Sequence, residues 1–254
     1  MKILVNRFLY NKVLLFTTLL FCSCLFADDS NLDYGFSEEE NWSDDTEIKS
    51  DLLEPINRSV YHFNDFIYLH FFDPVTNVYV NYTPESVRNS LNNFFTNLKY
   101  PVRFLSNVLQ VKVKEAYYES LKFGINSTIG IFGIHTPSDK YDFLNEIPNE
   151  DLGQVLAVWG VPAGPFIMVP ILGPSTLRDL SARLVGREIN PIDVSSDNWD
   201  TVDTQWIALL NTAEILSLNE EMLPRYKGLK KASIDPYTAL RSTYFQQREQ
   251  EVSQ

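Results

Sequence analysis

Residues Glu150 to Asp179 read EDLGQVLAVWGVPAGPFIMVPILGPSTLRD, and the resolution of this stretch decides the fold. From Leu152 to Leu177 it holds 26 consecutive uncharged residues, long enough for a membrane span. Four glycines (Gly153, Gly160, Gly164, Gly173) and four prolines (Pro162, Pro165, Pro170, Pro174) divide it. A single helix does not hold four prolines, because each removes a backbone donor and clashes with the preceding turn. Nor can so broken a backbone face lipid, where every N–H and C=O must be satisfied within the protein. The segment therefore reads as apolar, irregular and covered, and the remainder of the chain reads as its surround.

That remainder is ample: 254 residues can bury a large core, and aromatic residues make up 13% of them, mostly Phe and Tyr. The first 27 residues have the grammar of a secretory signal, with Lys2, Arg7 and Lys12 ahead of an apolar run from Val13 to Phe21. Two cleavage readings follow. Cys24 (or its neighbour Cys22) becomes a lipidated N-terminus as in bacterial lipoproteins, or cleavage after Ala27 discards both cysteines. Either way the mature chain has no disulfide, so packing must hold the fold. The formal charge is −12, and much of it sits between Asp28 and Glu54, where eleven acids face Lys49 alone. Residues 28–52 read as an acidic, disordered tether. This balance argues against a nucleic-acid partner.

Along the body, Ile56, Val60, Phe63, Ile67 and Phe71 recur at near-helical spacing after Pro55 and predict one apolar helical face that ends at Asp73-Pro74. Tyr61, Phe66 and Tyr68 fall on other faces, so this helix is either wholly buried or partly in lipid. Thr83-Pro84 opens a second helix, with Thr83 as N-cap and apolar positions through Leu98. After Pro101 a short helix carries Val102, Leu105, Val108 and Leu109, and Val113 to Thr128 predicts another. Residues 126–133 form a glycine-punctuated apolar loop, and His135 to Asn149 a polar surface loop. Thr176 to Asp179 predicts a capping box for a helix that Gly186 closes. Trp199 to Leu218 is helical, Leu223 to Gly228 a link, and Ser233 or Asp235 caps the last helix. The expectation is an all-α single domain over residues 53–248, with a polar tail at 249–254.

Enzyme chemistry finds little support. His62, His70 and His135 lack metal-ligand spacing, no cysteine belongs to the body, and no phosphate loop, dinucleotide fingerprint or nucleophile elbow is present. Ser175 reads as part of a helix start rather than a nucleophile. Arg58, Arg178, Asp179, Asp235 and Arg241 read as structural ion pairs and caps, with Arg178–Asp179 and Asp235–Arg241 as candidate pairs. No catalytic residue, metal site or cofactor is expected.

Five stretches, in order, resemble the MlaA/VacJ family of outer-membrane lipid-asymmetry proteins: LEPINRSVYHFND (Leu53–Asp65), PESVRNSLNNFFTNLKYPVRFLSNVLQ (Pro84–Gln110), KFGINSTIGIFG (Lys122–Gly133), Glu150–Asp179, and DPYTALRSTYFQQR (Asp235–Arg248). The resemblance covers nearly the whole body. It departs in the lipobox, where Phe21 stands in place of Leu, and in the length of the acidic tether. It implies a ring of amphipathic helices in the inner leaflet of the outer membrane, around a central amphipathic channel. Phospholipids misplaced in the outer leaflet would pass through that channel to a periplasmic, MlaC-like carrier, and trimeric porins would be neighbours. Within that picture Tyr61, His62, Phe63 and Asn64 are channel or gating candidates, with plain core packing the alternative for Phe63. Trp159, Pro165, Phe166 and Pro170 are channel-wall or membrane-interface candidates.

Two other classes share parts of the pattern. A periplasmic structural or porin-binding protein would show the same leader and greasy helices without moving lipid. A phospholipase would need a base beside Ser175. The mass of the mature N-terminus decides the leader: acylated Cys24 or an unmodified Asp28.

Overall fold

The first helix does not end where its sequence predicts. In the computed structural model, which describes residues 51–187, 189 and 204–254 (without the side chains of 204–207), α1 (Glu54–Ile67) passes through one π-helical turn (Tyr68–Phe72) into α2 (Asp73–Tyr82). The Asp73 N–H reaches back five residues to the Tyr68 carbonyl. This wider register brings Pro74 in at the first turn of α2, where a missing N–H is tolerated. The leader with Cys22 and Cys24, the tether through residue 50, and Trp199 to Asp203 of the expected helix lie outside the described residues.

The next elements follow the expected order. They are α3 (Glu85–Leu98), α4 (Tyr100–Leu109), α5 (Val113–Thr128), a 3-10 turn (Pro137–Lys140) and a one-turn α6 (Asp142–Asn145). Pro84, not Thr83, occupies the N-cap of α3, and no side chain caps it. The expected polar surface loop at 135–149 contains two wholly buried residues, Ser138 and Leu144, because its turns fold back onto α5. The uncharged segment resolves into α7 (Leu152–Val158) and an antiparallel hairpin, β1 (Phe166–Val169) and β2 (Gly173–Thr176), leading into α8 (Leu177–Arg187). The chain is mostly helical, as expected, and this hairpin is the departure: Pro165, Pro170 and Pro174 flank or edge short strands, which tolerate proline where a helix does not.

Helix α9 (Thr204–Ala232) also continues through an expected break, carrying Pro224 inside it. Leu223 and Tyr226 are buried in one core cluster with Tyr61, Tyr68, Phe166, Met168 and Tyr237, and the Lys230 ammonium pairs with Asp65 at 2.7 Å. These contacts hold the helix together across the proline. The last helix, α10 (Pro236–Ser253), runs through what reads in sequence as a polar tail. Asp235 caps it, accepting from the Tyr237 and Thr238 N–H groups.

The elements close a circuit. The hairpin lies on α1 and leads into α8; α8 packs on α7, α7 on α4, α4 on α3, α3 on α9, and α9 on α2, which continues α1. Helix α10 ties α7, β2 and α9 together.

In α1, α4 and α5 polarity is distributed inside out. The inward face of α1 is Asn57, Tyr61, Asn64 and Tyr68, while Ile56, Phe63, Phe66 and Phe71 are exposed. Of the predicted apolar face Ile56, Phe63 and Phe71 thus point outward, Val60 and Ile67 are half-buried with Val60 against the core cluster, and Phe63, at 48% exposure, is not core. In α4 the buried residues are Arg103, Ser106 and Asn107, while Phe104 and Val108 are exposed. In α5, Ala116, Glu119 and Asn126 are buried, while Val113 and Tyr117 are exposed. Such an exterior is unfavourable against water and favourable against lipid. Among the described residues no helix is long and apolar enough to cross a membrane.

Truncation should therefore be costly at polar positions and cheap at apolar ones. In detergent, Asn57→Ala should destabilise by about 2 kcal/mol or more, because it strands buried backbone groups. Phe63→Ser should cost less than about 1 kcal/mol, as surface substitutions do. Denaturant unfolding of both variants checks the order; the reverse order would mean that Phe63 faces the core.

Candidate functional site

Two asparagines seven residues apart on α1, hence on one helical face, hold the hairpin. The Asn57 amide donates to the Phe166 carbonyl at 3.0 Å and accepts from the Met168 N–H at 2.9 Å. One step along, Asn64 donates to the Val169 carbonyl at 2.9 Å and accepts from the Ile171 N–H at 2.7 Å. Each primary amide thus meets backbone groups two residues apart, as a neighbouring strand would. The Tyr68 hydroxyl completes the set by donating to the Ile171 carbonyl at 2.7 Å. Burial pushes that phenol up to about 12, so it remains a donor at physiological pH.

The tip this latch grips is strained. Ile171 has φ 68°, a conformation that a β-branched residue adopts only when held there, at about 1–3 kcal/mol. Both backbone polar groups of Ile171 are held, the N–H by Asn64 of α1 and the carbonyl by Tyr68 of the π-helical turn. Pro170, Ile171 and Leu172 are exposed, so an apolar tip projects from a polar anchorage.

Behind the hairpin lies a charge cluster. Arg178 Nε sits 2.9 Å from Asp179 Oδ1, the expected pair. Arg248, which sequence reading left unassigned, reaches from α10 to Asp179 at 3.1 Å and to Asp151 at 2.7 Å. Tyr244 donates to Asp179 Oδ2 at 2.5 Å. Asp151 caps α7 in a reciprocal box with Gln154, so α10 clamps the starts of α7 and α8 at once. The expected box at Thr176 is half made: Thr176 Oγ1 accepts from the Asp179 N–H, but the Asp179 carboxylate turns to the arginines. Burial alone would raise that carboxyl; Arg248, Arg178 and the Tyr244 hydroxyl bring it down to about 2. A further buried pair, Arg103–Glu119 at 3.1 Å, joins α4 to α5.

A cavity of about 540 Å³ opens against this cluster, between the start of α4, the start of α7, α8 and α10. Its lining mixes cations, carboxylates and small apolar residues.

The sequence candidates divide accordingly. Of Tyr61, His62, Phe63 and Asn64, Tyr61 and Asn64 point inward and His62 and Phe63 outward. Tyr61 is buried, edge-on to Tyr237 at 6.0 Å. Trp159 is exposed while its indole N–H donates to the Leu109 carbonyl at 3.1 Å, an arrangement suited to a membrane interface. Pro165 is half-buried and Pro170 exposed, but Phe166 belongs to the core at 3% exposure, because its alternation along β1 turns it toward Tyr237, Tyr244 and Phe245. Asp235 takes Arg58 as its ion-pair partner, at 2.6 Å, and Arg241 lies over the Phe166 and Phe245 rings. Ser175 is wholly buried within β2, its hydroxyl toward the Thr176 carbonyl, and does not cap α8. Asn57 and Tyr68 were missed, although their spacing from Asn64 puts all three on one face.

A circuit of helices with apolar residues on the outer faces of α1, α4 and α5, polar residues beneath them and a latched hairpin defines a protein suited to contact with lipid. The family follows from comparison. The MlaA lipoprotein family model matches residues 49–251, and the chain belongs to that family. The intermembrane phospholipid transport system lipoprotein MlaA of Escherichia coli is 28% identical over 207 residues, 81% of this chain and 79% of the relative. An uncharacterized protein of Rickettsia prowazekii is 27% identical over 248 residues, 95% of this chain and 94% of the relative. A solved structure from work on the "structural basis for maintenance of bacterial outer membrane lipid asymmetry" superposes with a TM-score of 0.68 at 26% identity, over 80% of this chain and all of that one.

Acid should loosen the clamp. Asp179 falls below its ordinary 3.8 in the fold, so its contribution is complete above about pH 4 and is lost as pH falls through about 2. Asp179→Asn should remove roughly 2 kcal/mol at neutral pH and flatten the stability profile between about pH 4 and 2. Denaturant midpoints across that range measure both effects.

Proposed function

We propose that this protein is the outer-membrane conduit of a phospholipid transport system. It lies in the inner leaflet, on the periplasmic side, and takes phospholipids misplaced in the outer leaflet through its polar interior to a periplasmic, MlaC-like lipid carrier. No bond is made or broken in this role, and no cofactor is used. The observation that carries the reading is the inversion of polarity. A phospholipid needs a wettable path for its head group beside an apolar path for its chains. Helices with apolar outer faces supply the apolar path, and the cavity lined by Arg103, Asp151, Arg183 and Glu251 supplies polar groups for the head group. Family membership and the Escherichia coli relative's name support the same reading. A lipid anchor at Cys24 and porin neighbours fit this placement.

In this reading the hairpin is the gate and α1 its catch. Asn64 and Tyr68 keep the strained, apolar tip at Pro170–Leu172 in place, and Tyr61 backs the catch from the core. Unlatching would free the tip and leave the conduit open to the outer leaflet.

Two measurements test this. Deleting the protein should raise outer-leaflet phospholipid and detergent sensitivity; an unchanged leaflet would favour a structural, porin-binding role without transport. Asn64→Ala, made to normal levels, should change outer-leaflet phospholipid at least severalfold more than Phe63→Ala does. Equal effects, or none, would remove the gate from the account.

A further inference from the structure

The cavity beside the charge clamp has a charge pattern that the clamp does not use up. Along one wall, α8 presents Arg183 and Arg187 one turn apart, with Ala182 and Gly186 between and beside them. Arg183 is exposed and forms no ion pair among the described residues, unlike Lys99 at the rim, which pairs with Glu214 at 3.1 Å. The lining also holds Asp151 and Glu251, both bound to Arg248, at 2.7 Å each. With Asp179, three carboxylates face two arginines, Arg248 and Arg178, so this cluster keeps negative character. Val102 and Leu152 add apolar surface. Space is built in: a Cβ at Gly186 would meet only Leu152, at 3.8 Å. The volume, about 540 Å³, is in the range of small-ligand sites.

We infer that this cavity is a head-group site for a zwitterionic phosphodiester, with Arg183 binding the phosphate and the Asp151 and Glu251 carboxylates facing the ammonium. The inference rests on the lipid-conduit reading and adds a choice of lipid to it. A guanidinium presents a planar fork that matches phosphate oxygens, and a cation without a carboxylate partner gives up no ion pair to bind one. The carboxylates of the lining cannot neutralise a head group that carries only negative charge, so a lipid with an ammonium is preferred over an anionic one.

The experiment is titration of the purified full chain in non-ionic detergent with short-chain phosphatidylethanolamine, short-chain phosphatidylglycerol and inorganic phosphate. Arg183→Ala should weaken both lipids by roughly tenfold or more, the range for a hydrogen-bonded charged group. Glu251→Gln should erase a preference for phosphatidylethanolamine on the order of threefold, as expected for a partly exposed charge. Arg225→Ala, an exposed arginine outside the cavity, should leave both affinities unchanged. Unchanged lipid affinity in Arg183→Ala would overturn the head-group site, as would inorganic phosphate that competes as well as the lipids do. Lipid still co-purifying with Arg183→Ala in that case would leave the conduit reading intact, whereas a wild-type chain that binds neither lipid would count against both.

Discussion

The pairing of two asparagine amides with the backbone of the hairpin is the interaction on which the rest depends. A two-stranded hairpin is marginal by itself, since two strands bury too little surface. Here α1 acts as a third edge through Asn57 and Asn64, each satisfying one N–H and one C=O of the hairpin, those bonded to Asn57 being buried. The hairpin then positions Phe166 and Met168 in the core with Tyr61, Tyr68, Leu223, Tyr226 and Tyr237, which docks α9 and α10. Removing the amides would leave the core without one of its walls.

This arrangement explains why the interior tolerates so much polarity. Asn57, Asn64, Asn126, Arg103 and Glu119 are almost fully buried, a composition that in a water-soluble domain would be costly. Their partners are mostly backbone groups that helices and strands leave open, or each other. The apolar residues displaced from the interior, among them Phe66, Phe71, Val78 and Phe104, are then free to cover the outside. An apolar skin and a polar layer beneath it are two consequences of one packing choice.

Much of this was readable in the sequence and some was not. The helix at Val113–Thr128 matched its periodicity, and the charge-free segment was correctly refused as a span. The inverted face of α1 was not readable from hydrophobic spacing, because Ile56, Phe63 and Phe71 mark an apolar face without saying whether protein or lipid covers it. Pro74 and Pro224 looked like helix ends; a π turn accommodates the first, and tertiary contacts at Leu223, Tyr226 and Lys230 hold the helix across the second. The hairpin escaped because its strands are four residues each and edged by prolines. Arg248 was read only as part of a motif, since its partners Asp151 and Asp179 lie about a hundred and about seventy residues away in the chain.

The central claim is that the apolar residues face lipid and the polar ones face inward. The mature body has no cysteine, so single spin labels can be placed at Phe63→Cys, Val78→Cys, Phe104→Cys and Tyr117→Cys in protein reconstituted into bilayers. Power-saturation measurements then compare collisions with oxygen, which concentrates in lipid, and with a water-soluble nickel chelate. The account predicts oxygen-dominated accessibility at these positions. Nickel-dominated accessibility at most of them would mean that the apolar skin faces water, and would contradict it.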